Sequence, residues 1–311
     1  MDRWPLNYSR PKSRMAPVTI TFGLLLAGGA LQGVAQPVWQ AAGPAETIVV
    51  RSGPQAAVER PGFAGLWQVL RLSDVIAIMA REGQAYGDSL GKDMFPSRVG
   101  PAWTAEVARI HDSARMEDVF RQDLAAALGE ADIAPMLAFF DTSAGRHITG
   151  LEISAREAML DEAVEEASRD MAETLQARNP TLFGAISEFV EVNDLVEMNV
   201  AGAMNANMAF YMGLMDGNPD RDDMSEGEIL AEIWAQEPDI RVETETWVYS
   251  YLALAYRPLP EGMLAEYTRF SRSDAGRVLN AALFAAFDTL FVDISRDLGR
   301  AVAARMVGEE L

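Results

Sequence analysis

One short stretch is written twice in this chain of 311 residues, and it constrains the fold more than anything else in it. Phe139-Phe140-Asp141-Thr142-Ser143-Ala144-Gly145-Arg146 returns as Phe270-Ser271-Arg272-Ser273-Asp274-Ala275-Gly276-Arg277. In each copy an aromatic-anchored segment meets a hydroxyl residue and an Ala-Gly-Arg step, and a long apolar-striped segment follows. A hydroxyl ahead of an amphipathic run is what a helix N-cap requires, because its oxygen accepts from a backbone N–H that has no partner within the helix. Thr142 and Ser273 are therefore read as caps, and Phe139 and Phe270 as aromatics that close a corner. Gly145 and Gly276 give room for close backbone approach. A chain that makes this corner twice is expected to be all-α.

The flanking pattern agrees. Ile148, Leu151, Ala155, Met159, Ala163, Ala167 and Met171 recur at three- and four-residue spacing, the period of one long helix with one apolar face. Glu157, Asp161, Glu162, Glu165, Glu166 and Asp170 crowd its other side and read as a solvated face. Leu279, Leu283, Phe287, Leu290, Ile294 and Leu298 form a second such helix. Ser73 with Asp74 predicts a helix start before Val75-Ile76, in a run that ends near Gly91 and Pro96. Further helical stretches are expected over 102–128 and 132–140. Asn179-Pro180 closes the first long helix, since a residue before proline is pushed out of the helical region. Ser225-Glu226-Gly227-Glu228 has the form of a capping box. The stretch 240–249 alternates somewhat but is read as helix.

Leu72-Ser73-Asp74-Val75-Ile76 is echoed by Val192-Asn193-Asp194-Leu195-Val196, and an acidic loop over 216–223 supplies extra residues before the second corner. A shared order of features with one insertion points to duplication. The expected organisation is two duplicated multi-helix bundle units with long amphipathic helices, over 63–179 and 180–311. Ahead of them, 36–62 is punctuated by Pro37, Pro44, Pro54 and Pro61 and reads as a linker.

Residues 1–35 read as an export signal. Arg3, Arg10, Lys12 and Arg14 precede an uncharged, mostly apolar run that ends in the small residues Gly33-Val34-Ala35. An uncleaved inner-membrane anchor is the alternative, and both place the body of the chain in the periplasm. The formal net charge of −20 grows more negative once four basic residues leave with Asp2. Such a surface repels phosphate backbones, so nucleic acid is not an expected partner. With no cysteine there is no thiol nucleophile, iron–sulfur cluster or thiolate zinc site.

The corner resembles the signature of the family catalogued as domain of unknown function 2059. Phe139-Phe140, Thr142, Gly145 and Arg146 carry the resemblance in the first copy, and Phe270, Ser273, Gly276 and Arg277 in the second. Ser143 and Asp274 stand where that family usually has proline, and Ser271 replaces the second aromatic. The resemblance implies an exported helical domain of Gram-negative bacteria and no particular activity.

Candidate chemistry is sparse. Arg146 and Arg277 could bind an anionic partner, or reach a nearby carboxylate or carbonyl as an arginine in a first helical turn commonly does. Ser89-Leu90-Gly91-Lys92 has the Ser-x-x-Lys spacing of penicillin-binding enzymes, but Lys92 is the only lysine beyond the signal, so their Lys-Thr-Gly element is missing. The loop beginning at Asp216 has acids or amides at several calcium-loop positions, with Arg221 where glycine and Gly227 where a bidentate glutamate belong. Met204, Met208 and Met212, near Met198 and Met215, suit Cu(I) or an adaptable core filler; the spacing favours core. His111 and His147 have no zinc-site spacing and read as surface or capping residues. No catalytic residue, cofactor or metal site is assigned. The expected function is a non-enzymatic envelope binding or scaffolding module meeting a protein, peptide or lipid. A hydrolase built on paired carboxylates, and copper or calcium handling, are the alternatives.

Overall fold

The computed structural model describes residues 58, 60–95, 100–217 and 225–307. The expected signal, the linker up to residue 57 and residues 218–223 of the acidic loop lie outside the described residues. The described residues contain helices and no strand, which establishes the all-α class.

Helix α1 (Phe63–Val69) leads at a bend of 57° into α2 (Leu72–Met94). The bend is made by Arg71, whose φ of 54° is left-handed, a region that costs any residue carrying a Cβ. Ser73 is therefore not the cap the sequence suggests: it lies inside α2, where its hydroxyl accepts the Trp67 indole N–H at 2.9 Å and donates to Glu117 at 3.0 Å. Among the described residues the only other non-glycine residue with positive φ is Asp194 (51°), immediately before α9 (Leu195–Gly217). Arg71 and Asp194 thus each stand with positive φ one residue before a long helix.

The stretch over 102–128 is two helices, α3 (Pro101–Ile110) and α4 (Ser113–Leu128), because the Asp112 side chain accepts from Arg115 N–H and restarts the helix. After α5 (Ala134–Phe140) and the first corner, the expected single long helix is likewise broken. It forms α6 (Ser143–Ala158) and α7 (Glu162–Arg178), with Asp161 accepting from Ala163 N–H. Asn179 caps α8 (Pro180–Val192). The capping box forms as read at the start of α10 (Glu226–Tyr256), which carries 240–249 as helix. Then come α11 (Met263–Ser271), the second corner and α12 (Asp274–Val307).

The main core cluster runs from Phe63 to Val302 without a break at 179–180. α12 lies along α9 and α4, while α10 lies along α9, α7 and α6, so the long helices of each half pack on those of the other. α12 is long and apolar enough to cross a membrane by length and composition, but its apolar residues Leu279, Leu283, Phe287, Leu290, Ile294 and Leu298 are all buried in this core.

Close helix contact is achieved with glycine. A Cβ on Gly213 would stand 2.2 Å from the Arg296 carbonyl oxygen, and one on Gly299 2.1 Å from that of Phe210, so α9 and α12 touch backbone to backbone. A second glycine row on α2, Gly83, Gly87 and Gly91, receives His111, Val107 and Trp103 of the α3 segment. There the Trp103 indole donates to the Gly87 carbonyl at 2.9 Å. Glycine four residues apart on one helix face was the signal available for this row, and the sequence reading did not use it.

Candidate functional site

The two corners have one local geometry. Thr142 Oγ1 accepts from Gly145 N–H at 3.0 Å and donates to the Phe139 carbonyl at 2.7 Å. Ser273 Oγ accepts from Gly276 N–H at 3.1 Å and donates to the Phe270 carbonyl at 2.6 Å. A Cβ on Gly145 would lie 2.5 Å from the Phe139 carbonyl oxygen, and one on Gly276 2.2 Å from that of Phe270. Only glycine lets each new helix cross so close over the end of the last.

The corners also meet. Phe139 stacks on Phe270 with ring centroids 4.4 Å apart and planes 8° from parallel, while Phe140 meets Phe270 edge-on. The arginines stay local. Arg146 pairs with Asp141 at 2.5 Å; Arg277 pairs with Asp274 and donates to the Arg272 carbonyl. Both are exposed.

From the stacked pair an aromatic path runs inward through Tyr267 and Phe189 to Tyr256, and ends on a buried polar cluster. Glu152, on α6, is 8% exposed. Its Oε1 accepts the Tyr256 hydroxyl at 2.8 Å and its backbone carbonyl accepts that of Tyr251 at 3.0 Å, both from α10. Burial drives the Glu152 carboxyl well above the usual carboxylate range, the Tyr256 hydrogen bond only partly opposing it. Burial, reinforced by the neighbouring Glu152, likewise raises Tyr251, Tyr256 and Tyr267. One turn along, Arg156 grips Glu82 of α2 through Nε at 3.1 Å and Nη2 at 2.8 Å. Burial works against the Arg156 charge, but the Glu82 carboxylate more than offsets it. The cluster thus joins α2, α6 and α10 with a dry carboxyl group and a bidentate ion pair, the strong form of charged hydrogen bonding. The sequence reading missed it, since Glu152 and Tyr256 lie 104 residues apart.

Other candidates resolve individually. Ser89 and Lys92 are both exposed on α2. The Asp216 carboxylate, first position of the loop compared with a calcium site, is held by Arg296 at 2.8 Å and Arg300 at 2.7 Å. The methionine stripe borders the core rather than filling it: Met204, Met208 and Met212 are half-buried, while Val200, Ala203, Ala206, Ala209 and Gly213 form the buried face of α9. His111 is buried, not on the surface. Its Nδ1 lies 3.0 Å from the Val107 carbonyl at the end of α3, and burial lowers its pKa. The acidic side of α6 and α7 carries ion pairs, with Glu157 on Arg81 and Glu165 sharing Arg169 with Glu243. Among the described residues no group of three or more histidine and carboxylate side chains is placed to hold a metal ion.

Fold and corner together define an all-helical protein whose two corners stack on each other. A family described as an uncharacterized protein conserved in bacteria (DUF2059) matches residues 114–174, the stretch from α4 through the first corner into α7, so the resemblance read from that corner is borne out there. No curated protein and no solved structure matches the chain.

Proposed function

We propose that the protein is an exported, non-enzymatic module of the bacterial envelope that binds or scaffolds a protein or peptide partner. The observation that carries this reading is how the conspicuous groups are used. The corner aromatics meet each other, the corner hydroxyls and glycines make caps, and the corner arginines answer acids or carbonyls of their own turn. Carboxylate hydrolysis needs an acid and a base free to reach a substrate, whereas Glu152 is engaged by Tyr256 and Glu82 by Arg156.

Two further elements belong to the proposal. The halves descend from one duplicated unit, which the matching corners and the positive-φ junctions at Arg71 and Asp194 support. Residues 1–35 direct the chain to the periplasm, which the basic flank and apolar run support.

The test is cross-linking and co-purification of the native protein from the cell envelope, run beside a hydrolase substrate panel on the pure protein. A defined partner at fixed stoichiometry, with no turnover, is expected. Turnover that Glu152→Gln or Glu82→Gln abolishes would overturn the non-enzymatic reading.

A further inference from the structure

The first half of α10 carries the most exposed large apolar side chains of the fold. Trp234 is 60% exposed, Leu230 47% and Val242 64%, and with exposed Pro238 they form a row at four-residue spacing. Rows of this spacing are the ridges that seat in the grooves of a second helix. The opposite side of the same segment is already packed, with Ile229, Ile233 and Ile240 buried, so the ridge is surplus to the fold. An exposed tryptophan at the centre of such a patch is typical of an interface anchor.

Charge selects the occupant. Exposed Asp239 and Glu245 flank Val242 three residues to either side, and exposed Glu228 and Glu232 add negative charge to the same segment. The one cation on this segment, Arg241, is bound by Glu197 and Glu237. A second copy would set one acidic rim against another, and an anionic lipid surface would be repelled; complementary potentials favour a basic surface. We infer that the Leu230–Trp234–Val242 ridge of α10 docks a basic amphipathic helix of a partner protein, its apolar stripe on the ridge and its lysines or arginines on the acidic rim.

This inference rests on the binding-module reading and locates its surface. The test is calorimetric titration of the full chain with a synthetic amphipathic helical peptide of leucine and lysine, and with its leucine–glutamate counterpart. One-to-one binding of the lysine peptide alone is expected. Trp234→Ala should weaken it about tenfold, the loss typical of an interface anchor. Asp239→Lys with Glu245→Lys should weaken it by a similar factor, and Asp118→Lys with Glu130→Lys, on α4 and just beyond it, should leave it unchanged. Circular dichroism checks each fold, and Leu230→Ser with Val242→Ser replaces Trp234→Ala should that variant unfold. Equal binding of both peptides, equal loss from the α4 variant, dimerisation through the ridge, or binding to anionic vesicles would overturn the inference. A native partner that still co-purifies with Trp234→Ala would overturn it too, while leaving the binding-module reading intact.

Discussion

Burial moves the Glu152 carboxyl away from its ordinary chemistry, and the departure has a sign. Its folded-state pKa is raised by burial, so the folded chain holds a proton there that the unfolded chain releases. Stability contributed by that proton is fully present below the unfolded carboxylate value and falls as pH rises toward the folded one. Glu152→Gln keeps an oxygen for the Tyr256 hydroxyl and removes the titration. Its stability relative to the parent should therefore climb from acid to neutral pH, measured by denaturant unfolding across that range. Glu152→Ala leaves the Tyr256 hydroxyl without its acceptor and should cost about 1–3 kcal/mol at acid pH, the usual penalty for an orphaned buried polar group, with the difference narrowing as pH rises. A parallel pH profile for parent and Gln variant would show that Glu152 titrates normally.

At the scale of elements, the corners are the joints that set helix direction, and their glycines carry the geometric requirement. Gly145→Ala and Gly276→Ala each push a methyl group into backbone of the preceding helix and should each cost about 1–3 kcal/mol, as overpacking does. Gly150→Ala on α6 meets nothing within 4 Å and should gain about 0.5–1 kcal/mol from helix propensity. Thermal unfolding of the three variants checks both signs. These corners were legible because cap, aromatic and glycine lie within eight residues and depend on local chemistry alone. The breaks at Asp112 and Asp161 were not, because an aspartate in a periodic run looks the same whether it caps a helix or faces water; only the turn it satisfies tells them apart. The α2 start was misplaced for a related reason: Ser73 has the chemistry of a cap, but its hydroxyl is taken by Trp67 and Glu117. The methionine stripe followed the right period on the wrong face, since the tight α9–α12 contact selects alanine and glycine over long side chains.

On the scale of the whole molecule, the halves share one core and trade helix partners. The chain should unfold in a single cooperative transition, with calorimetric and van't Hoff enthalpies equal; two resolved transitions would mean that the halves fold independently. None of this exchange was readable in advance. Periodicity marks which face of a helix is buried but not which helix covers it, so α12 on α4 and Glu152 beneath Tyr256 emerge only in three dimensions. The repeated motif brings its two copies together through the stacking of Phe139 on Phe270. A double-mutant cycle of Phe139→Ala and Phe270→Ala, read by denaturant unfolding, should return a coupling energy of about 1 kcal/mol, as aromatic pairs do. Strictly additive losses would mean that the two corners are energetically independent turns.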